Sequence, residues 1–164
     1  MTLTIVCGTR GQGKTTLVRQ YAADAVATGR SVGGVVSPAV FEDGQRVGYD
    51  LIDLRAGSRR PLARVVAAPE ETPTIGAFRF DETALAAGNA AIVSAVEDGL
   101  DVVAIDEVGP LELEGKGWAP ALAFALRTCR AQQELLVTVR ASLLDELPSR
   151  FPSPLWEQAQ RRSP

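Results

Sequence analysis

Gly8-Thr9-Arg10-Gly11-Gln12-Gly13-Lys14-Thr15 is the stretch that decides the fold of this chain. It fits the pattern Gly-x-x-x-x-Gly-Lys-Ser/Thr, in which a glycine-rich turn points successive backbone N–H groups at an anion. An apolar, β-branched run (Leu3–Cys7) precedes it, and apolar residues at helical spacing follow it as far as Gly29. The stretch therefore predicts a strand, a phosphate-binding loop (P-loop) and a helix, in that order.

Each part of the P-loop has a physical role toward a nucleoside triphosphate. The helix that begins near Lys14 adds the positive end of its dipole, and Lys14 itself bridges the β- and γ-phosphates. The Thr15 hydroxyl is expected to bind Mg²⁺, and Thr16 to donate to the α-phosphate. Arg10 reaches a phosphate or faces water. The predicted nucleotide-binding residues are Gly8, Thr9, Arg10, Gly11, Gln12, Gly13, Lys14, Thr15 and Thr16.

A second motif places two carboxylates at the end of an apolar run. Val102-Val103-Ala104-Ile105 leads into Asp106-Glu107, which is the Walker B arrangement. We expect its strand beside the first strand, with Asp106 holding the Mg²⁺ shell through water and Glu107 polarising the attacking water. Lys14 and Glu107 are the predicted catalytic residues, and Thr15 and Asp106 the predicted metal residues.

Strands and helices alternate through the rest of the chain. Apolar runs predict strands at Val32–Val36, Asp101–Asp106 and Leu135–Val139, and Asp81 is predicted to cap a helix that runs to about Glu97. A further helix is predicted around Leu122–Cys129, and a short last one from Ser142 to Leu147. Such an alternation indicates a three-layer α/β fold with a mostly parallel sheet.

Residues 37–80 contain short strand candidates and turn signals and are interpreted as a β-rich insertion. Asp43-Gly44 is a hairpin signal between Val40-Phe41 and Val47–Leu54, and Leu62–Val66 and Ile75–Phe80 are strand candidates around a loop at Pro69–Pro73. The insertion is too short to hold a core of its own, so 1–164 is interpreted as a single domain. The tail, 148–164, is weakly patterned and is expected to be partly disordered.

Several other residues are accessory candidates with two interpretations each. Glu112 supports the metal or water shell, or is a surface turn acid. Arg140 and Thr138 face the γ-phosphate if their strand lies between the first strand and the Asp106 strand; otherwise Arg140 is solvated.

An arginine patch supplies an arginine finger or, more commonly, a solvated hairpin face. It comprises Arg55, Arg59, Arg60 and Arg64. Three aromatics stack on a base or belong to the core: Tyr49, Phe78 and Trp118.

Composition excludes several classes of protein. The chain has no histidine, which removes a Ser-His-Asp triad and a His-ligated zinc site. A net charge of −3 gives no strong nucleic-acid signal. No apolar run reaches the ~20 residues of a membrane helix. Two cysteines form no disulfide framework, and a cytoplasmic protein is the simplest interpretation.

Together, four stretches resemble a family of small bacterial and archaeal nucleoside-triphosphatases with animal relatives. They are Gly8–Val18, Gly33-Gly34 with the hairpin through Arg46–Tyr49, Gly76–Phe80, and Ile105–Leu113 (IDEVGPLEL), with Val137–Arg140 as a weaker fifth. The resemblance implies a RecA-like sheet and slow, Mg²⁺-dependent hydrolysis of several nucleoside triphosphates, with Lys14, Thr15, Asp106 and Glu107 in their usual roles. The family normally ends in a further strand, and none is predicted here after Pro148.

Two alternatives use the same P-loop. One is a nucleotide-operated adaptor, in which hydrolysis resets a partner-binding state. The other is a small-molecule kinase, which needs an acceptor site. A Ras-like GTPase is disfavoured because its Asn-Lys-x-Asp motif is absent, and the only asparagine is Asn89.

Overall fold

The computed structural model describes residues 1–66, 74–75 and 78–164. Their strands form one mixed sheet in the order β10-β1-β9-β8-β2-β4-β5-β7-β6, with β3 paired to β4. The strands are β1 Thr2–Gly8, β2 Val32–Val36, β3 Ala39–Glu42, β4 Gln45–Asp53, β5 Arg59–Val65, β6 Thr74–Ile75, β7 Phe78–Phe80, β8 Val102–Val108, β9 Glu134–Arg140 and β10 Gln160–Arg162.

The half of the sheet from β10 to β2 is parallel, as the apolar runs predicted. From β2 onward, every pairing is antiparallel. The strand of Asp106 was expected beside the first strand, and this is wrong because β9 lies between β1 and β8. The condition set for Arg140 and Thr138 is therefore met. Gly8 in β1 is in register with Arg140 in β9.

Helices cover both faces of the parallel half. The helices are α1 Lys14–Ala27, α2 Glu82–Glu97, α3 Pro110–Leu113, α4 Ala119–Thr128 and α5 Leu147–Arg150. Side chains of β8 alternate between two cores: Val102 and Ala104 pack with α1, and Val103 and Ile105 with α2 and α4. Strands buried on both faces in this way confirm the three-layer α/β fold.

Local contacts explain where α2 begins and why Gly88-Asn89 lies at its centre. Asp81 caps the helix as predicted, since its Oδ1 accepts from the Ala84 N–H at 2.8 Å. Gly88-Asn89, a weak helix-forming pair, is explained by packing. A Cβ on Gly88 would lie 2.5 Å from the Trp118 ring, and Asn89 Nδ2 donates to the Gly117 carbonyl at 2.9 Å. This pair therefore lets the loop before α4 lie close against α2.

The predicted β-rich insertion extends the sheet. Asp43 and Gly44 both have positive φ, 48° and 77°, and join β3 to β4 in the predicted hairpin. The strand predicted at Leu62–Val66 begins earlier, at Arg59. The candidate at Ile75–Phe80 appears as β6 and β7, and residues 76–77 between them lie outside the described residues, as does the whole loop predicted at Pro69–Pro73.

The tail is ordered, so the expectation of partial disorder is wrong. Phe151 and Trp156 are buried, and Trp156 Nε1 donates to the Phe151 carbonyl at 2.7 Å. This anchor directs β10 along β1 as a parallel edge strand. Its three residues are all exposed and lack apolar alternation, which is why the pattern of the sequence did not reveal it.

The last helix also differs from its prediction. Residues Ala141–Leu143 form a single 3-10 turn, and α5 begins at Leu147, where the predicted helix was expected to end. Pro148 is compatible with the first turn of a helix, because the N–H that it lacks has no helical partner there.

Candidate functional site

The P-loop connects β1 to α1 and already has the backbone form of an anion nest. Gly11 and Gly13 have φ of 81° and 86°, values that a residue with a Cβ rarely adopts. Gln12 closes the turn, since its Oε1 accepts from the Thr9 N–H at 2.6 Å. Lys14 folds back over the loop, and its Nζ donates to the carbonyls of Thr9 at 2.9 Å and Gly8 at 3.3 Å. The lysine ammonium is thus held at the centre of the loop.

Asp106 lies at the carboxyl end of β8 and is clamped between the two neighbouring strands. It is fully buried. Its Oδ1 accepts from the Thr138 hydroxyl at 2.6 Å, and its Oδ2 accepts from the Ser37 N–H at 2.9 Å. Each carboxylate oxygen accepts only one of these bonds, so further lone pairs remain for a ligand.

Glu107 has an unusual backbone conformation that redirects its side chain. Its φ is +66°, and the β8–β9 pairing shifts register between Ile105 and Val108. Such a bulge re-aims one side chain at the edge of a sheet. The Glu107 N–H donates to the Thr138 hydroxyl at 2.7 Å, so Thr138 fixes both acidic residues at once. Burial raises the pKa of Glu107, and the neighbouring Asp106 carboxylate raises it further.

A cleft of about 340 Å³, here called the P-loop cleft, joins these parts. Lys14, Thr15 and Thr16 of the P-loop line it, as do Ser37 and Glu107. Arg10, Arg19 and Arg46 also line it. Among the described residues, four cations and one carboxylate line this cleft, a balance suited to a polyanion.

Arg46 is the arginine that the sequence did not single out. It lies on β4, and its guanidinium is 5.5 Å from the ring centroids of both Phe41 and Tyr49. Its Nη1 donates to the Tyr49 hydroxyl at 3.1 Å, and its Nε is buried without a hydrogen-bond partner among the described residues. Its charge lowers the pKa of Glu107, as do those of Lys14 and Arg140.

Ser37 is the second residue that the sequence did not single out. It follows β2, is 1% exposed, and its Oγ has no hydrogen-bond partner in the described part of the chain. The only signal in the sequence was its position directly after a buried strand next to the Asp106 strand. That strand order is not visible in a local pattern.

Glu112 is buried, so its interpretation as a surface turn acid is wrong. It is 2% exposed. Its Oε2 accepts from the Gly109 N–H and its Oε1 from the Trp118 N–H, both at 2.7 Å. Trp118 in turn donates from Nε1 to the Asp106 carbonyl at 3.0 Å. Glu112 therefore fixes the loop that supports Asp106 from behind, and its role in a metal or water shell stays a prediction.

The protonation of Glu112 gives a testable pH dependence. Burial raises its pKa from 4.5 to about 7, although the two backbone N–H groups oppose the rise. At pH values between 4.5 and about 7, Glu112 is protonated in the folded chain and ionised in the unfolded chain. The free energy of unfolding therefore falls as pH rises through this range. We expect the free energy of unfolding of the unmodified chain to fall by roughly 3 kcal/mol between pH 5 and pH 8. Glu112→Gln cannot release this proton, so it should lack this fall. Urea unfolding of both proteins at the two pH values measures this, and equal pH dependence would contradict it.

The arginine patch does not line the P-loop cleft. Arg59 Nε and Arg64 Nη2 bind the Asp50 carboxylate at 2.7 and 2.6 Å, and Arg55 pairs with Asp98. The two Asp50 pairs lie within the insertion, and the Arg55 pair joins it to the end of α2, in agreement with the hairpin-face interpretation. The aromatic candidates Tyr49, Phe78 and Trp118 line an apolar pocket beside Glu107, and Tyr49 also lines the P-loop cleft.

Comparison with known proteins agrees with this geometry. The model of the NTPase family matches residues 3–154. The chain belongs to this family. Three curated relatives, each called nucleoside-triphosphatase THEP1, show how far the likeness extends. The protein of Ignicoccus hospitalis is 35% identical over 142 residues, which cover 86% of this chain and 77% of the relative. The protein of Thermofilum pendens is 40% identical, covering 74% and 66%, and that of Archaeoglobus fulgidus is 30% identical, covering 95% and 90%.

Two solved structures share the NTPase family's fold. The solution structure of a human cancer-related nucleoside triphosphatase has a TM-score of 0.75 at 24% identity and covers 99% of this chain and 88% of its own. The crystal structure of THEP1 from Aquifex aeolicus has a TM-score of 0.70 at 19% identity and covers 99% and 89%. At these identities the likeness concerns the fold, and it confirms the predicted fold class. Within the described residues, no helix combines the length and apolarity needed to cross a bilayer.

Proposed function

We propose that this chain is a Mg²⁺-dependent nucleoside-triphosphatase that cleaves the β–γ bond of ATP, GTP and other nucleoside triphosphates by attack of water. The observation that carries the proposal is the shared anchor at Thr138. One hydroxyl bonds Asp106 and the backbone of Glu107, and Glu107 lines the same cleft as Lys14 and the P-loop. The relatives' name, nucleoside-triphosphatase, supports the same activity.

The residues present fit a magnesium ion bound together with a triphosphate. Mg²⁺ usually takes one or two protein oxygens, phosphate oxygens and waters, instead of a full cage of side chains. The described residues include no group of three or more Asp, Glu, Cys or His side chains suited to a metal. Thr15 and Asp106 would hold the ion, Asp106 through water, and the unpartnered Ser37 Oγ would accept or donate one bond in that shell. The ion would neutralise charge on the β- and γ-phosphates.

Each protein group then has one task. Lys14 and the P-loop N–H groups hold the β- and γ-phosphates, and Gly8–Thr16 surround the triphosphate. Glu107 accepts a proton from the attacking water, for which a raised pKa is suitable because the base then works closer to neutral pH. Arg140 is an accessory group at the end of β9, next to Gly8 in register. We further propose that residues 1–164 act as one domain.

One assay tests the proposed activity. Phosphate release is measured with ATP, GTP, CTP and UTP, with Mg²⁺ and again with excess chelator. We expect release from all four nucleotides, because the cleft binds the triphosphate mainly through the P-loop backbone and cations, and loss of release with chelator. Release that continues at the same rate in chelator would contradict the role of the metal. Release that appears only with an added protein would favour the adaptor.

Arg46 supplies a second prediction about turnover. Its guanidinium faces the cleft and has no carboxylate partner among the described residues, unlike three of the four patch arginines. We expect Arg46→Ala to lower kcat on the order of 10²-fold, since a cation aimed at developing phosphate charge is lost. Arg60→Ala, at an exposed position of β5, is the matched control and should leave kcat unchanged. Equal rates for both variants would remove Arg46 from the site.

A further inference from the structure

Beside Glu107 lies a second cavity of about 70 Å³, which we call the apolar pocket. Its walls come from the insertion strands, the start of α2, α3 and the loop before α4, together with Arg10, Ser37, Glu107 and Arg140. The apolar side chains that line it include Tyr49, Leu62, Phe78, Phe80, Leu85 and Trp118. Phe78 stands edge-on to Tyr49, with ring centroids 5.5 Å apart.

The apolar pocket opens into the P-loop cleft. Four residues line both cavities: Arg10, Ser37, Tyr49 and Glu107. Glu107 therefore lies at the junction of the P-loop cleft, where the triphosphate is proposed to bind, and the apolar pocket. Because Glu107 is the proposed proton acceptor, a hydroxyl that contacts it from the apolar pocket would be placed as the attacking water is in the proposed hydrolysis.

The pocket is not explained by core packing or by hydrolysis. Tyr49, Phe80 and Leu85 pack against the edge of the core and stay half-buried, as does Phe78, and all four line the pocket. Burial by such walls accounts for the raised pKa of Glu107, but that effect does not require an open cavity of several water volumes beside the residue. The Ser37 Oγ at the junction is buried and unpartnered among the described residues, and a hydroxyl has one donor and two acceptor sites. It can therefore bond the proposed metal shell and still bond a ligand hydroxyl from the apolar pocket.

We propose that this pocket binds a second substrate, a small alcohol with a compact apolar body, which accepts the γ-phosphoryl group in place of water. The alcohol oxygen forms a bond to the γ-phosphorus, and the bond from that phosphorus to the β–γ bridging oxygen breaks. The nucleoside diphosphate leaves with the bridging oxygen and its electron pair. The alcohol proton passes to Glu107 and then to solvent. The products are an alkyl phosphate and a nucleoside diphosphate, with no oxidant or reductant needed.

The dimensions of the pocket define the class of acceptor. At roughly 10–15 Å³ per water on this measure, the cavity holds a group of about five or six non-hydrogen atoms. A branched or cyclic alkyl group, or a single aromatic ring, matches this size and the apolar walls. A polyol matches the size but loses hydrogen bonds to water without replacing them. The inference rests on the proposed function, because both reactions draw on the same bound triphosphate.

The experiment measures how the γ-phosphoryl group is shared between water and alcohol. The protein is incubated with ATP and Mg²⁺ and one of four probes: 3-methylbutan-1-ol, cyclopentylmethanol, benzyl alcohol or 2-phenylethanol. Phosphorus NMR then separates the phosphate ester from free phosphate. We expect an ester with at least one probe, and about tenfold less ester with glycerol at the same concentration, because glycerol lacks the apolar body.

Variants of α2 test the location. Leu85→Trp fills the pocket and is expected to lower ester formation about tenfold or more while free phosphate release stays within about twofold. Ala86→Trp, one residue along at an exposed position, is the matched control and should retain the ester. Leu85→Ala, a milder change, should shift preference toward the larger 2-phenylethanol.

The outcomes distinguish this proposal from the hydrolase itself. Free phosphate without ester from any of the four probes would overturn the acceptor pocket and leave hydrolysis standing. Loss of both products would contradict the proposed function instead. Ester that is undiminished in Leu85→Trp and unchanged in its preference in Leu85→Ala would show that transfer occurs elsewhere, and would also overturn the proposal.

Discussion

Lys14→Ala is expected to abolish nucleoside triphosphate turnover, with kcat/KM lowered by roughly 10³-fold or more. Lys14 is 7% exposed as a residue, and its ammonium is held by the carbonyls of Gly8 and Thr9. A triphosphate would offer charged oxygens to the same ammonium, and charge-assisted bonds are about twice as strong as neutral ones. Alanine removes the only lysine of the cleft, and the P-loop N–H groups cannot supply a full positive charge.

The chain contains its own control for this prediction. Its other lysine, Lys116, is exposed and pairs with Glu114 at 2.8 Å, away from the cleft. Lys116→Ala has the same change of charge and should leave turnover unaltered. Lys14→Met separates charge from folding, because it keeps a buried apolar stem of similar length. Calorimetric titration with a non-cleavable ATP analogue and phosphate release are the two measurements. Turnover that survives in both Lys14 variants, while they remain folded, would defeat the P-loop assignment.

Local sequence patterns predicted the parts of this site that lie on continuous segments. The P-loop could be located because glycine spacing, an apolar strand and a helix coincide within thirty residues. Asp106 and Glu107 could be placed at a strand end because four apolar residues precede them. Thr138 and Arg140 were recognised only conditionally, since a strand's neighbours depend on long-range pairing that no local pattern encodes.

The residues that were missed owe their positions to the sheet as a whole. Arg46 reaches the P-loop cleft because β4 pairs with β2 and carries the hairpin over it. Ser37 reaches Asp106 because β2 lies next to β8. The arginine patch attracted attention through its density of charge, yet its carboxylate partners Asp50 and Asp98 come from other positions along the chain. Charge clusters in a sequence do not reveal such pairing.

The backbone at Glu107 was also beyond prediction, and it explains why this residue is suited to act on the nucleophile. In a regular strand, Asp106 and Glu107 would point to opposite faces of the sheet. A positive φ at Glu107 and the register shift beside it turn that side chain into the cleft. A non-glycine residue in this conformation costs on the order of 1–3 kcal/mol, and such strain is concentrated at functional sites.

Glu107→Gln is therefore expected to leave nucleotide binding intact and to lower the rate of hydrolysis by roughly 10²-fold or more. Glutamine keeps the size of the side chain, and the backbone bond to Thr138 is unaffected, since it involves the N–H of residue 107. The amide cannot accept a proton from water, so the chemical step alone is slowed. Loss of a half-buried carboxylate next to Asp106 also removes charge repulsion, so affinity for the triphosphate is expected to be equal or higher.

Two measurements on matched variants decide this prediction. Glu114→Gln changes the same functional group at an exposed position outside the cleft and should hydrolyse at the rate of the unmodified chain. Binding is followed by titration with the non-cleavable analogue, and single-turnover phosphate release isolates the chemical step from product release. Weak binding by Glu107→Gln would indicate that Glu107 organises the cleft instead of the water. Normal binding with undiminished turnover would mean that another group accepts the proton, and the strained backbone at this position would then need a different explanation.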